Sequence, residues 1–137
     1  MNDEVLFIDT NVLVYLFDGD APTKKAIAET LFREPNIRLS TQVLQEFYVT
    51  VTRKLARPLS PAQALQAVHH FQTYPVAVIS SALVTRSIER SIDSQLSLWD
   101  SLIVETALAE NVDRLVTEDL QDGWIIDGMR VWNPFKR

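Results

Sequence analysis

The chain has 137 residues, no cysteine and three glycines, and its 18 Asp and Glu against 13 Lys and Arg give a formal net charge of −5. The lack of cysteine excludes disulfides, thiolate zinc sites, iron–sulfur clusters and a cysteine nucleophile. No glycine-rich phosphate loop occurs, and the acidic balance at first argues against a nucleic-acid partner. The length and a hydrophobic content of 47% predict one globular domain over residues 1–137.

The ends and apolar runs of the chain predict a cytoplasmic protein. The N-terminal segment Met1-Asn2-Asp3-Glu4 is acidic where a signal peptide would be basic. Apolar runs such as Val12–Phe17 are too short to cross a membrane. No membrane partner is therefore expected.

The first part of the chain alternates between strand and helix patterns. In chain order it predicts a strand at Val5–Ile8, helical turns at Val12–Phe17, a helix at Pro22–Arg33, a strand at Ile37–Leu39 and a long helix from Ser40 or Thr41 to about Leu55. The second part continues the alternation. It predicts a helix from Ser60 to about Gln72, a strand at Val76–Ile79, helices from Ala82 to Asp93 and from Leu98 to Asn111, and strands at Arg114–Thr117 and Met129–Trp132.

Strands that alternate with helices are connected by crossovers, which favours a parallel sheet. The predicted fold is therefore an α/β three-layer sandwich around a central, mainly parallel, five-stranded sheet. Ligands of such folds bind beyond the carboxyl ends of the strands, so the residues at those ends are the candidate functional residues.

Acidic residues occupy several of these positions. Asp9 follows the first strand, and Asp119 follows the fourth with Asp122 close behind. Glu46 on the long helix and Asp100 near a helix start are plausible neighbours. Each has a simpler explanation taken alone, because Asp9 can cap a helix, and Ser97 and Asp100 fit a capping box. Glu46 can be a solvated helix residue, and the segment that contains Asp119 and Asp122 has turn chemistry.

Taken together, these acids indicate a metal site. Two carboxylates about 4 Å apart repel by roughly 4 kcal/mol at an effective dielectric constant of about 20, so a cluster needs protons or a cation. Carboxylate oxygens favour Mg²⁺, with Mn²⁺ as a substitute. Zinc fits poorly because His69 and His70 are adjacent on one helix and point in different directions. The simplest reaction is attack of metal-activated water on a phosphodiester.

Four segments in order resemble the PIN-domain family, and within it the VapC-type toxin ribonucleases of type II toxin–antitoxin systems. They are Phe7-Ile8-Asp9-Thr10-Asn11-Val12-Leu13, Gln45-Glu46-Phe47, the run from Leu96 to Ile103, and Leu115-Val116-Thr117-Glu118-Asp119-Leu120. The terminal Val131-Trp132-Asn133-Pro134-Phe135 is similar to the usual ending of that family. The resemblance extends over essentially the whole chain.

The resemblance implies a PIN-like fold and Mg²⁺-dependent endonucleolytic cleavage of RNA, often tRNA or ribosomal RNA. It assigns metal-binding and catalytic roles to Asp9, Glu46, Asp100 and Asp119, with Asp9 and Asp100 as the principal ligands. It assigns supporting roles to Asn11, Thr117 and Asp122. It also implies a homodimer held inactive by a cognate antitoxin, whose C-terminal segment covers the active-site groove.

Basic side chains are candidate contacts for the RNA backbone, because phosphates must be neutralised near an acidic site. These candidates are Arg53, Lys54, Arg57 and Arg86, with Arg90 four residues beyond the last. The simpler explanation, which the sequence favours, is an exposed helix surface with local ion pairs. Trp99, beside Asp100, is predicted to pack in the core rather than to stack on a base.

Two other functions stay open at this point. A haloacid-dehalogenase-type phosphatase also places an Asp after its first strand, but it needs a second Asp and usually a Thr where this chain has Asn11 and Leu13. A non-catalytic binding module would use the same acids as helix caps only. The net charge no longer argues against RNA, because removing the five candidate acids leaves 13 Asp and Glu against 13 Lys and Arg.

Overall fold

The computed structural model describes residues 3–136, so the first two residues of the acidic N-terminal segment lie outside the described part. Helices and strands alternate along these residues as predicted. They are β1 (Leu6–Ile8), α1 (Thr10–Tyr15), α2 (Pro22–Leu31), β2 (Ile37–Ser40), α3 (Thr41–Arg53), α4 (Pro61–Phe71), β3 (Val76–Ala77), α5 (Ser81–Ser94), α6 (Leu98–Ala109), β4 (Arg114–Val116), β5 (Ile125–Ile126) and β6 (Met129–Trp132).

The strands form one mainly parallel sheet in the order β3-β2-β1-β4-β6-β5. All neighbouring pairs are parallel except β5 and β6. The central pair aligns Ile8 of β1 with Val116 of β4, so both strands end at the same level. The predicted α/β fold with a mainly parallel central sheet flanked by helices is confirmed.

The sheet has six strands rather than the predicted five. The additional strand, β5, pairs antiparallel with β6 through a two-residue turn at Asp127-Gly128. Both turn residues have positive φ, 47° and 88°, as the tight turns of β-hairpins require. An Asp-Gly pair between apolar residues is a hairpin signal, and it was available in the sequence.

Most element boundaries differ from the predictions by one or two residues. The strand predicted at Val76–Ile79 ends at Ala77, since Val78 is 74% exposed and buries no face against the sheet. The first helix begins at Thr10, two residues earlier than predicted, because the Asp9 side chain caps it. This earlier start places Thr10 and Asn11 in the first helical turn, beside the end of β1.

The central strands are buried on both faces, as is usual for parallel strands covered by helices. Leu6, Phe7 and Ile8 of β1 are all buried. Phe47 of α3 and Phe71 of α4 pack edge to face at 5.1 Å in the core on the α3 side. Within residues 3–136, no helix combines the length and hydrophobicity that a membrane span requires.

Candidate active site

The candidate site lies where β1 and β4 end side by side. The Asp9 amide donates to the carbonyl oxygen of Val116 at 3.0 Å, which extends the pairing by one residue. Asp9 and Thr117 therefore lie side by side, directly after β1 and β4. The loop after β4 places Asp119 at the same edge of the sheet, where its amide donates to the Thr117 hydroxyl and its carboxylate accepts from Asn11. This is the ligand-binding edge of an open parallel sheet.

Asp9 is a buried carboxylate that also caps a helix. One carboxylate oxygen accepts from the Thr10 amide at 2.7 Å, and the other accepts from the Thr117 hydroxyl at 2.8 Å. Burial raises the pKa of Asp9 from 3.8 to about 7, although both hydrogen bonds oppose this shift. The charges of Asp119 and Glu46 raise the pKa further. The capping interpretation is thus correct, but it does not account for this burial.

Asn11 connects the two strand ends. Its side-chain amide donates to Asp119 at 3.0 Å and to the Thr117 hydroxyl at 3.2 Å, and lies 3.4 Å from Asp9. Its side-chain oxygen accepts from the Glu118 amide at 3.3 Å. A second Asp at this position would repel both neighbouring carboxylates, whereas an amide can donate to them.

Glu46 reaches the site from the second turn of α3 and is held at both oxygens. The Thr10 hydroxyl donates to one oxygen at 2.7 Å, and the Gln42 amide donates to the other at 3.1 Å. Gln42 is buried, and its amide also donates to the Trp99 carbonyl at 3.2 Å. Sequence reasoning missed both Thr10 and Gln42. The four-residue spacing of Gln42 and Glu46 on one helix was the available signal for the latter.

Asp100 approaches from α6, whose start is capped by Ser97; the Asp100 amide donates to the Ser97 hydroxyl at 3.0 Å. Partial burial raises the pKa of Asp100, and the charges of Asp119 and Glu46 add to this rise. The charges of Asp119 and Glu46 thus raise the pKa of both Asp9 and Asp100. We call Asp9, Glu46, Asp100 and Asp119 the acid cluster.

The donor set of the acid cluster fits a hard divalent cation, because it consists of carboxylate oxygens that repel one another. Among residues 3–136, no three His, Cys, Asp or Glu side chains come close enough to form a ready-made metal-binding group. Mg²⁺ does not require three protein side chains already in contact, since it commonly binds one or two carboxylates and keeps several waters. The spacing therefore suits a cation held partly through water.

The acid cluster opens into a groove of about 750 Å³ between α1 and α3. Asn11, Glu46 and Asp119 line it, together with Val49, Lys54 and Trp99. We call this the site groove. The prediction that Trp99 packs in the core is wrong: 61% of this residue is exposed, and it borders the groove.

The PIN-domain family model matches residues 6–121, which include every member of the acid cluster. The chain belongs to the PIN-domain family. The haloacid-dehalogenase alternative is set aside on this ground. Comparison with curated protein sequences gave no significant match.

Solved structures of similar fold support the family assignment. A toxin–antitoxin complex from Klebsiella pneumoniae is 24% identical, with 95% of this chain and 97% of that chain covered and a TM-score of 0.70. VapBC2 of Rickettsia felis, bound to a promoter DNA fragment, is 20% identical over 94% and 99% of the two chains, with a TM-score of 0.65. A sarcin–ricin loop cleaving VapC toxin of Mycobacterium tuberculosis is 18% identical over 80% and 86%, also with a TM-score of 0.65.

The hydrogen bond of Asp122 in this PIN domain is made outside the acid cluster. Its carboxylate accepts from the Asn133 amide at 2.8 Å, and the residue is exposed. This hydrogen bond connects the loop after β4 to the C-terminal segment. Asp119 lies closer to the strand end and bonds to Asn11, which favours Asp119 as the fourth acid.

The candidate RNA-binding cations of the PIN domain do not all line the site groove. Lys54 lines the site groove, whereas Arg57 lies 3.6 Å from Asp20 and Arg53 is an exposed residue at the end of α3. Arg86 on α5 borders a separate cavity of about 340 Å³. Arg90 beside it pairs with Glu105. Of these cations, Lys54 is the one that the structure brings to the site groove.

Sequence reasoning also missed an ion pair beside the acid cluster. Lys24 of α2 lies 2.8 Å from Glu118 and 3.1 Å from the Tyr15 hydroxyl, and Tyr15 donates to Glu118. Burial raises the pKa of Tyr15, and the hydrogen bond to Glu118 adds to this rise. The network fixes the residue between Thr117 and Asp119, and so anchors the loop that carries Asp119.

Proposed function

We propose that this PIN domain is a Mg²⁺-dependent endoribonuclease and the toxin component of a type II toxin–antitoxin module. The observation that carries the proposal is the burial of Asp9 among other carboxylates, which raises its pKa to about 7. A buried acid surrounded by like charges is destabilising without a cation, and it is kept where that cation performs chemistry. Structures of toxins with the same fold support the choice of reaction.

Within the acid cluster, we assign cation binding to Asp9 and Asp100. Glu46 and Asp119 complete the site, directly or through water. Bound Mg²⁺, or Mn²⁺ in its place, would polarise a phosphoryl oxygen and lower the pKa of water. The carboxylate oxygens of Glu46 already accept hydrogen bonds from Thr10 and Gln42. Asp119 is exposed, which makes it the better acceptor for a proton from the attacking water.

Asn11 and Thr117 act as positioning residues in this proposal. Thr117 accepts from the Asp119 amide at 3.0 Å while its hydroxyl donates to Asp9. Asn11 bridges the same two acids through its side-chain amide. Together they hold the buried and the exposed acid of the cluster in a fixed relation, which limits reorganisation when charge develops during the reaction.

The proposed partners are an RNA substrate, with tRNA and ribosomal RNA as candidates, and a cognate antitoxin. The Klebsiella pneumoniae structure is described as a toxin–antitoxin complex, and the Rickettsia felis structure contains promoter DNA. The site groove is where an inhibitory segment of an antitoxin would block access to the acid cluster. We also propose that the chain forms a homodimer.

Asp9→Asn tests the proposed ribonuclease. The wild type should cleave RNA in Mg²⁺ and lose this activity in EDTA, whereas Asp9→Asn should be folded and inactive. Asp122→Asn is the matched control, because it makes the same change outside the acid cluster and should keep activity. Cleavage products are mapped by sequencing RNA ends after induced expression. Full activity in folded Asp9→Asn would exclude the proposed role of the cluster.

The non-catalytic alternative makes a different prediction about metal. If the acids only capped helices, Mn²⁺ would bind no better to the folded than to the unfolded chain. The proposed function predicts that Mn²⁺ raises the melting temperature, because only the folded chain assembles the cluster. Thermal unfolding with and without Mn²⁺ separates the two, and Asp9→Asn should show a smaller rise than Asp122→Asn.

A further inference from the structure

We propose that Trp99 forms a nucleobase-stacking subsite in the site groove and binds a base of single-stranded RNA beside the acid cluster. This inference rests on the proposed ribonuclease function and names how its substrate is held. Trp99 is a large aromatic residue that is 61% exposed while bordering a groove that also contains Glu46 and Asp119. Such a ring contributes little to the core and has a free surface for a flat ligand.

The backbone that carries the indole is fixed relative to the acid cluster. Trp99 lies in the first turn of α6, where the Ser97 hydroxyl accepts from the Asp100 amide at 3.0 Å. The Trp99 carbonyl accepts from the Gln42 amide at 3.2 Å, and the same amide donates to Glu46 at 3.1 Å. The buried Gln42 side chain thus connects the backbone of Trp99 to the carboxylate of Glu46.

The chemistry along the groove matches a nucleotide chain. At one end, the acid cluster binds a phosphate only through a cation. Lys54, the C-cap of α3, offers a positive charge and lies about 18 Å along the helix axis from Gln42 at a rise of 1.5 Å per residue. The indole, exposed Val49 and the amide-bearing Gln45 lie among the lining residues. Sites for single-stranded RNA usually combine positive charges, which bind the phosphates, with aromatic side chains, on which the bases stack.

Stacking on Trp99 should contribute to substrate binding rather than to the chemical step. Base–aromatic stacking changes affinity by roughly 1–3 kcal/mol, which corresponds to about 5- to 150-fold. Because every base has an aromatic face, a stacking surface alone gives modest sequence preference. We therefore expect Trp99→Ala to raise KM for a single-stranded substrate about tenfold and to change kcat much less.

Steady-state kinetics provide the first test. Trp99→Phe keeps an aromatic face and should stay within about threefold of the wild-type KM, whereas Trp99→Ala should not. Tyr48→Ala is the matched control, since Tyr48 is a 38% exposed aromatic residue of α3 that is absent from the groove lining. Melting temperatures should be similar for the three variants, because neither aromatic residue is buried.

Fluorescence provides the second test, in an Asp119→Asn background that removes the proposed proton acceptor and keeps Asp9 and Asp100 as cation ligands. A hexameric oligoadenylate should quench tryptophan emission in the presence of Mg²⁺, because a stacked base contacts the indole. The quenching should disappear in Trp99→Phe, which retains Trp124 and Trp132. An abasic oligomer of equal length has the phosphates without the bases and should not quench.

The outcomes separate this subsite from the ribonuclease proposal. Quenching that needs both Trp99 and the bases supports the subsite, even if the wild type cleaves no RNA. A wild type that cleaves RNA, with unchanged KM in Trp99→Ala and no Trp99-dependent quenching, overturns the subsite and retains the ribonuclease. In that case we assign Trp99 to contact with a segment of a partner protein instead.

Discussion

At the scale of single residues, Asp9 combines two roles with opposite effects on stability. As the helix cap of α1 it accepts from the Thr10 amide, an interaction that favours the ionised carboxylate. As a buried acid it lies near Asp119 and Glu46, which favours the protonated form. Burial has the larger effect, so the metal-free site binds a proton near neutral pH. A divalent cation and a proton should therefore compete for Asp9.

This competition predicts a pH-dependent stability for the metal-free protein. Because the folded-state pKa of Asp9 is raised from 3.8 to about 7, its stabilising contribution is complete below about pH 4 and is lost as pH rises through about 7. Between about pH 5 and pH 8 the loss is about 3 kcal/mol, or about 10 °C in melting temperature. Asp9→Asn should flatten this dependence.

The measurement is a series of thermal unfolding curves in EDTA at several pH values, with Asp122→Asn as the control. Asp122→Asn should retain the wild-type slope, because Asp122 is exposed and lies outside the acid cluster. A wild-type slope in Asp9→Asn would show that other groups, such as Asp100, cause the pH dependence. Excess Mn²⁺ should reduce the wild-type slope, because the cation replaces the proton.

Gln42 is the residue whose role is least visible in the sequence. We expect Gln42→Leu to weaken Mn²⁺ binding about tenfold, since Glu46 loses the amide that orients it. Gln42→Leu also removes the hydrogen bond that the amide donates to the Trp99 carbonyl. It removes in exchange a buried side-chain oxygen that has no hydrogen-bond partner among the described residues, so the net loss of stability should be small.

Isothermal titration with Mn²⁺ measures this effect separately from folding. Gln66→Leu on the exposed face of α4 is the matched control and should bind Mn²⁺ like the wild type. A melting temperature near that of the wild type, combined with weaker binding, would identify Gln42 as a positioning residue. Unchanged Mn²⁺ affinity in Gln42→Leu would show that Glu46 needs no such support.

At the scale of elements, the hairpin of β5 and β6 depends on backbone geometry. Gly128 has a φ of 88°, and nothing lies within 4 Å of the position that a Cβ would occupy. Gly128→Ala should therefore cost only the strain of a positive φ, about 1–2 kcal/mol. Gly19→Ala is the control, because Gly19 has the same open surroundings and no positive φ.

Denaturant unfolding of the two glycine variants tests this expectation. Gly19→Ala should be neutral or slightly stabilising, because alanine reduces the freedom of the unfolded chain. Equal stability of Gly128→Ala and Gly19→Ala would mean that the turn relaxes without cost. RNA cleavage should persist in both variants, since neither glycine contacts the acid cluster.

Element patterns predicted most of the sheet and the positions of the acids. Buried strand segments such as Leu6–Ile8 of β1 and Leu115-Val116 of β4 are apolar, so they stand out in the sequence. The parallel topology then places the acids that follow them at one edge of the sheet. The pattern missed β5 because two residues are too few to show a strand period. It misplaced Trp99 because α6 is apolar around most of its circumference, which leaves no polar face to define the exposed side.

The hydrogen bonds of the site could not be predicted in the same way. Thr10 contacts Glu46 only because α1 and α3 pack side by side. Gln42 reaches the Trp99 carbonyl only because the start of α6 lies beside α3. Asp122 shows the converse, since its spacing from β4 resembles that of a site acid while its carboxylate bonds to Asn133. Such roles depend on tertiary packing over long sequence separations, which the local sequence pattern does not contain.

At the scale of the whole molecule, the net charge of −5 is largely a property of one site. Setting aside the acid cluster leaves 14 Asp and Glu against 13 Lys and Arg. The remaining surface is thus nearly neutral and neither attracts nor repels RNA strongly. We therefore expect affinity for the proposed RNA substrate to come from the site groove, through a bound cation, Lys54 and the proposed stacking on Trp99, rather than from long-range attraction.

The proposed homodimer has a candidate contact surface on α5. Val84, Ile88 and Ile92 follow one another at four-residue intervals, which places them on one helix face. They are 37%, 44% and 73% exposed. A row of exposed aliphatic side chains is costly in water and is typical of a surface that another chain covers.

We expect Ile88→Glu, in the middle of this row, to convert the dimer to a folded monomer, because a buried unpaired charge is unfavourable at an interface. Light scattering after size-exclusion chromatography measures the mass, and circular dichroism checks the fold. Leu65→Glu on α4 is the matched control, since Leu65 is 52% exposed and lies on another helix. If Leu65→Glu yields monomers while Ile88→Glu stays dimeric, the contact lies on α4 and not on α5.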